Sequence, residues 1–304
     1  MNQGLRPGVH CVMVTPFLPD ESLDEASLGT LVRAIERAGC DGILVLGVMG
    51  EAARLADAER DRVVKLAIEH AAGRIQVSVG ITHNATVVVA ARARAAADAG
   101  ATAVMVSPPA GSAAGPALRE HFCRIGDGLP IPVIVQDHPA SSGVKLPVDF
   151  IAGLAEVLPP GSVVKLEDPP SPAKIARLRE VTEAFDVFGG LGGVSLLHEL
   201  EAGASGTMTG FALPEVLVGI VEAFQNGDTT TARRLFERAL PLMVFESQPG
   251  AGAALRKEIL VRRGAIAHAT VRQPAPLPEP LTLRLLSDLL TAWQEDETNA
   301  GGKR

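Results

Sequence analysis

The chain has 304 residues, 47% of them hydrophobic and only 3% aromatic, with a formal net charge of −7 at neutral pH. No cluster of Lys and Arg with aromatic platforms is present, which excludes a nucleic-acid surface, and no apolar run reaches the roughly 20 residues that span a bilayer. The opening stretch Met1 to Gly8 has no apolar signal core, so the expected location is the cytoplasm; the three cysteines, Cys11, Cys40 and Cys123, lack metal-ligand spacing and read as reduced thiols.

Short apolar runs recur along the chain with helical stretches between them. Val9 to Val14 comes first, then Gly42 to Leu46, Gln76 to Gly80, Ala103 to Ser107 and Pro132 to Gln136. Ser162 to Leu166, Asp186 to Gly190 and a weaker Gly206 to Thr209 complete the series. Each has the length of a strand buried on both faces. Between them, Asp24 to Ala38 carries Leu28, Leu31, Val32 and Ile35 as a helical stripe that stops at Gly39. Ala56 to Ala72 and Asn84 to Ala99 read alike, with Asn84 as the expected N-cap. Gly39, Gly100 and Gly203 each precede a strand and mark helix stops.

About eight strand–helix units at roughly 25–35-residue spacing predict a (β/α)8 TIM barrel. A doubly wound sheet is the rival, but no Gly-x-Gly-x-x-Gly follows the first strand. Beyond Thr209 the pattern is helical: Glu215 to Gln225, Thr229 to Phe245, Ala251 to Arg263 and Leu281 to Trp293. The expected organisation is a barrel over residues 1–212 and a C-terminal helical extension over 213–304, packed on it.

In such a barrel the chemistry lies at the C-terminal ends of the strands. Lys165 ends the apolar run Ser162-Val163-Val164-Lys165. A buried ammonium is costly unless paired, and desolvation supplies the neutral amine that attacks a carbonyl. The competing reading is a lysine that snorkels out or pairs with Glu167. The loop Gly47-Val48-Met49-Gly50-Glu51 can turn backbone N–H groups toward an anion, although a plain strand–helix turn has the same look. The glycine-rich stretch Gly189 to Gly193 reads as open backbone beside a ligand or as a phosphate site.

On these motifs the chain resembles the dihydrodipicolinate synthase/N-acetylneuraminate lyase family of class I aldolases, from about Val9 to Pro214. Thr15-Pro16-Phe17 is similar to the family's opening motif, Gly47 to Glu51 to its Gly-Thr-Thr-Gly-Glu loop, and Glu59-Arg60 follows at the usual distance. Pro130 to Pro139 resembles its fifth strand, Lys165 falls at the Schiff-base lysine, and Gly203-Ala204-Ser205-Gly206 resembles its Gly-Ala-x-Gly. The resemblance implies a homo-oligomer, tetramer or dimer, that acts on a 2-oxo acid such as pyruvate through an imine, with no cofactor and no metal.

The departures are specific. The chain contains no tyrosine; Gln136 stands at the catalytic tyrosine position, and Val48-Met49 replaces the Thr-Thr pair. Pro108-Pro109-Ala110-Gly111 replaces the segment whose tyrosine crosses the subunit interface. Ser141 stands for a carboxylate-anchoring arginine, and Leu166 follows the lysine in place of a frequent glutamate. The family's proton relay is therefore missing, and true dihydrodipicolinate synthase activity is not expected. His138 is the natural substitute acid/base, His83 a second candidate, and Asp137 can orient His138 unless it faces the other side of the strand.

The expected catalytic residues are Lys165, Gln136 and His138, and the expected substrate-binding residues Thr15, Gly47, Val48, Met49, Gly190 and Met208. The function expected is that of a lyase for a 2-oxo acid, either aldolase or dehydratase/hydratase. The alternative is a catalytically impaired 2-oxo-acid-binding or regulatory protein on the same barrel.

Overall fold

A computed structural model describes residues 4–301. Its first half runs β1 (Gly8–Val12), α1 (Glu25–Arg37), β2 (Gly42–Val45), α2 (Asp57–Ala71), β3 (Gln76–Gly80), α3 (Thr86–Ala99), β4 (Ala103–Val106) and α4 (Pro116–Gly126). Then follow β5 (Val133–Asp137), a short turn α5 (Pro139–Ser142), α6 (Val148–Gly153), β6 (Val163–Leu166), α7 (Ser171–Val181), β7 (Asp186–Gly189), α8 (Leu196–Glu201) and β8 (Gly206–Thr209). Four longer helices end the chain: α9 (Pro214–Gln225), α10 (Thr229–Glu246), α11 (Gly252–Arg262) and α12 (Pro280–Gly301). The strands form one closed barrel in chain order, every pair parallel, with β8 returning to β1. The expected (β/α)8 barrel with a C-terminal helical extension is the fold of this chain. The expected division after residue 212 falls between β8 and α9, which packs against β1 and α10. Among the described residues no helix is long and apolar enough to cross a membrane.

Strand alternation explains why the runs read as continuously apolar. Val12, Leu44, Met105, Ile134, Val163, Phe188 and Met208 point inward and fill the barrel as one cluster. Their neighbours Cys11, Ile43, Val45, Val104, Val133, Val164 and Val187 point outward and meet the helices in the larger core. α1 starts where Asp24 accepts the Ser27 N–H at 2.9 Å, a regular N-cap. The cap expected at Asn84 is different: α3 begins one residue later, and the His83 ring nitrogen accepts the Ala85 N–H at 3.0 Å.

The C-terminal helices grip the mouth of the barrel through buried charge. Lys257, on α11, is 0% exposed. Its Nζ donates to Glu51 Oε1 at 2.6 Å and to the Thr270 carbonyl at 2.7 Å, and it lies 4.4 Å from the centre of the Phe17 ring. Burial pulls the Lys257 ammonium below its ordinary range, and the Glu51 carboxylate opposes that pull. Arg272 donates its backbone N–H to the other Glu51 oxygen at 2.9 Å and pairs its guanidinium with Glu59. A second buried pair joins Arg256 of α11 to Glu246 of α10, and Glu246 also accepts the Ala212 N–H.

Removing Lys257 takes the buried counter-charge from Glu51 and leaves it the Arg272 N–H and the more exposed Arg54. Lys257→Ala should therefore lower the unfolding free energy by roughly 3–5 kcal/mol, read from the midpoint and slope of urea denaturation. A loss below about 1 kcal/mol, the scale of a surface ion pair, would show that Glu51 does not need this partner.

Candidate active site

The strand ends bring the chemistry together because β5 and β6 are in register. Gln136 lies opposite Lys165, and Asp137 lies opposite Leu166. Side chains alternate, so Gln136 and Lys165 face inward while their successors face the helices. Glu167, two residues past Lys165, returns to the inner face. Its Oε2 is 3.1 Å from Lys165 Nζ, and both side chains are buried, at 7% and 5% exposure.

Glu167 is held by three groups. Besides Lys165, the Gln136 amide donates to Oε2 at 2.8 Å, and the Leu191 backbone N–H donates to Oε1 at 3.2 Å. Burial alone pushes the carboxyl up. The Lys165 charge, then the His138 charge, the Gln136 amide and the Leu191 N–H outweigh it, and the net direction is below the ordinary glutamate value. Gln136 is fixed in turn by the Ser107 hydroxyl, which donates to its Oε1 at 2.7 Å. Gln136 and Ser107 line a cleft of about 640 Å³, together with Gly47, Val48, His83 and Ser141.

The other expected residues fall at varied distances from this pair. Gly190 has no room for a side chain, since a Cβ there would stand 2.4 Å from Glu167 Oε1. Gly47 leads the 3-10 turn Val48–Gly50; Val48 is 58% exposed, and Met49 packs on the inner cluster. Thr15 spends its hydroxyl on the Gly50 carbonyl at 2.6 Å and so braces that turn. Met208 is fully buried in the barrel filling. His138 precedes α5, and its ring charge acts on Glu167. Its Nδ1 is buried without a hydrogen-bond partner among the described residues. His83 is exposed, and its ring accepts the N–H of Ala85, the residue before α3.

Asp137 is not part of the group. Its side chain points outward, accepts from Lys174 of α7 at 2.5 Å, and is pushed up by burial against the pull of that lysine. Glu167 is the residue that sequence reading treated only as a counter-ion. The signal was present, because residues two apart on a strand share a face. Ser107 was overlooked as well. Chemically, a buried amine and a carboxylate in contact can exchange a proton, and a fixed amide beside them can direct a carbonyl or hydroxyl without titrating.

The family model described as the Dihydrodipicolinate synthetase family matches residues 6–288. The L-2-keto-3-deoxyarabonate dehydratase of Azospirillum brasilense is 33% identical over 299 residues, covering 94% of this chain and 96% of that protein. A 4-hydroxy-tetrahydrodipicolinate synthase of Methanosarcina acetivorans is 30% identical over 292 residues, covering 93% and 97%. Among solved structures, the dihydrodipicolinate synthase of Rhodopseudomonas palustris superposes with a TM-score of 0.89 at 30% identity, covering 95% of this chain and 99% of that one. Matched along almost its whole length by sequence and by fold, the chain belongs to the dihydrodipicolinate synthetase family.

Proposed function

We propose that this chain is a class I lyase that removes water from a 2-oxo acid through an imine on Lys165. The observation that carries the reading is the 3.1 Å contact between Lys165 Nζ and the buried Glu167 carboxylate. The relative named as a dehydratase, at 33% identity, favours elimination over carbon–carbon bond formation. By that likeness the substrate class is a 3-deoxy-2-oxo acid with a hydroxyl on C4.

The steps follow from the groups present. The neutral amine attacks C2, and water leaves as the imine forms. The protonated imine draws electrons from the C3–H bond, a base takes that proton, and an enamine results. The enamine expels the C4 hydroxyl, which needs a proton as it departs. Glu167 is a single carboxyl able to take the first proton and return it. Hydrolysis then frees Lys165, so one water is lost overall. An aldol reaction must also seat and protonate a second carbonyl compound, whereas elimination moves one proton over one bond. One carboxyl suffices for that, with no tyrosine.

The leading amides of the Val48–Gly50 turn have no partner within it, and we assign them to the substrate carboxylate. Gln136, held by Ser107, directs the substrate's polar groups toward Glu167. A barrel that merely binds 2-oxo acids is the weaker reading, because Glu167 fills the acid/base role left open by the missing tyrosine. In line with the family resemblance, we take the enzyme to be a cytoplasmic homo-oligomer.

Pyruvate with borohydride should leave a reduced adduct on Lys165, seen by mass spectrometry, and Lys165→Ala should show none. No adduct across a panel of 2-oxo acids would remove the imine. Glu167→Gln preserves the shape and should lower kcat for dehydration by about 10²–10⁴, with a smaller change in KM. A fall below about tenfold would assign the proton transfers to another group.

A further inference from the structure

Two adjacent glycines end β7, and each stands where a Cβ would strike a buried carboxyl. On the inner face a Cβ at Gly190 would meet Glu167. On the outer face a Cβ at Gly189 would lie 1.8 Å from Oε2 of Glu199. Glu199 belongs to α8 and is 0% exposed, among Leu196, Leu197 and Leu200. Ser171, at the head of α7, donates its hydroxyl to Oε1 at 2.6 Å. The Gly190 N–H favours the charged form of the same carboxyl without forming a hydrogen bond to it, and Oε2 has no partner among the described residues. The next amide, Leu191 N–H, turns inward to Glu167. One short segment of backbone is thus packed between two carboxyls, one on each face. An apolar side chain would fill the outer site without the desolvation that an acid suffers there.

We propose that Glu199 is a positioning residue for the Lys165–Glu167 pair: from behind β7 it fixes the peptide that holds Glu167, and when ionised it adds negative charge beside that pair. The proposal rests on the reading of Lys165 and Glu167 as the reacting groups.

Burial pushes the Glu199 carboxyl up to about 7; the Ser171 hydroxyl opposes this, the Glu167 charge adds to it, and the Gly190 N–H opposes it. The charges that α7 brings against α8 are already engaged, Lys174 with Asp137 and Asp168 and Arg179 with Asp186. α9 turns apolar residues inward, and β8 carries the neutral Thr207 and Thr209. On α8, His198 stacks edge-on against Phe236 of α10, and Glu201 pairs with Arg233 at the surface. Glu199 is therefore neutral below about pH 7 and charged above it. The added charge favours the ammonium form of Lys165 and slows its attack on a carbonyl.

The test is the rate of borohydride-trapped adduct formation with pyruvate, followed from about pH 5.5 to 8.5 across the titration. The ratio of wild type to Glu199→Gln cancels the titration they share. It should fall on the order of threefold to tenfold as pH rises through the Glu199 transition. Glu199→Ala should be about tenfold slower at every pH, a loss on the scale of one removed hydrogen-bonding group, with Gln restoring most of the low-pH rate. Gly189→Ala should also be slow, and combining it with Glu199→Ala should bring no further loss, since the obstructing carboxyl is gone. A flat ratio together with a wild-type rate in Glu199→Ala overturns the proposal.

Urea unfolding gives a readout independent of the imine. The folded state keeps a proton that the unfolded chain releases near 4.5, so wild-type stability relative to Glu199→Gln should fall as pH rises from about 4.5 to about 7 and then level off. A constant difference over that window would show that Glu199 does not titrate there and would overturn the charge effect. Absence of adduct in the wild type, with the urea trend intact, would instead sink the imine reading and with it the link from Glu199 to Lys165.

Discussion

The arrangement of the barrel mouth depends on one contact, that of the Lys165 ammonium with the Glu167 carboxylate inside the ring of strands. Two charges withdrawn from water are tolerated only when they neutralise each other and their remaining hydrogen-bonding capacity is met. The local structure meets that demand piece by piece. The register of β5 on β6 sets Gln136 beside the pair. Ser107 orients the Gln136 amide so that its N–H side faces Glu167. The backbone turn after β7 brings Leu191 N–H to the second oxygen, and the missing Cβ of Gly190 lets the carboxylate lie against the chain.

The same contact reorganises the chemistry the family resemblance suggested. An amide in place of a phenol can hold a ligand but cannot pass a proton at neutral pH. In the proposed reaction that work falls to Glu167, a carboxylate in direct touch with the amine. The acid/base group and the nucleophile of that reaction sit two residues apart, at the end of β6 and just past it, so both side chains face the interior. The bracing of the Gly47–Gly50 turn by Thr15 is consistent with a mouth whose backbone, rather than its hydroxyl side chains, faces the ligand.

Much of this was legible in the residues. Strands buried on both faces leave unbroken apolar runs, and glycines mark where helices stop; both signals are local and survived folding unchanged. Lys165 was legible because an ammonium on such a run is expensive. Glu167 shows in the sequence only as a possible counter-ion, although the alternation that turns Asp137 outward also places Glu167 on the inner face beside Lys165. Asp137 went the other way, to Lys174 on the outer layer. The Asn84 cap failed because the N-cap position of α3 falls one residue later, on Ala85, whose own N–H is taken by the His83 ring. The joining of Glu51 to Lys257 had no sequence signature, since the partners are 206 residues apart and pair only once the barrel has closed.

That separation bears on how the molecule is made. On a ribosome, Glu51 emerges 206 residues before its lysine, and until α11 is synthesised its ion-pair partner is the more exposed Arg54. Contacts of such span are slow to form because a large loop must close first. The strand ladder closes within residues 8–209, while the turn that leads from β2 meets its buried lysine only once α11 exists. A nascent barrel without α11 therefore lacks the buried lysine that ties its rim to the C-terminal helices.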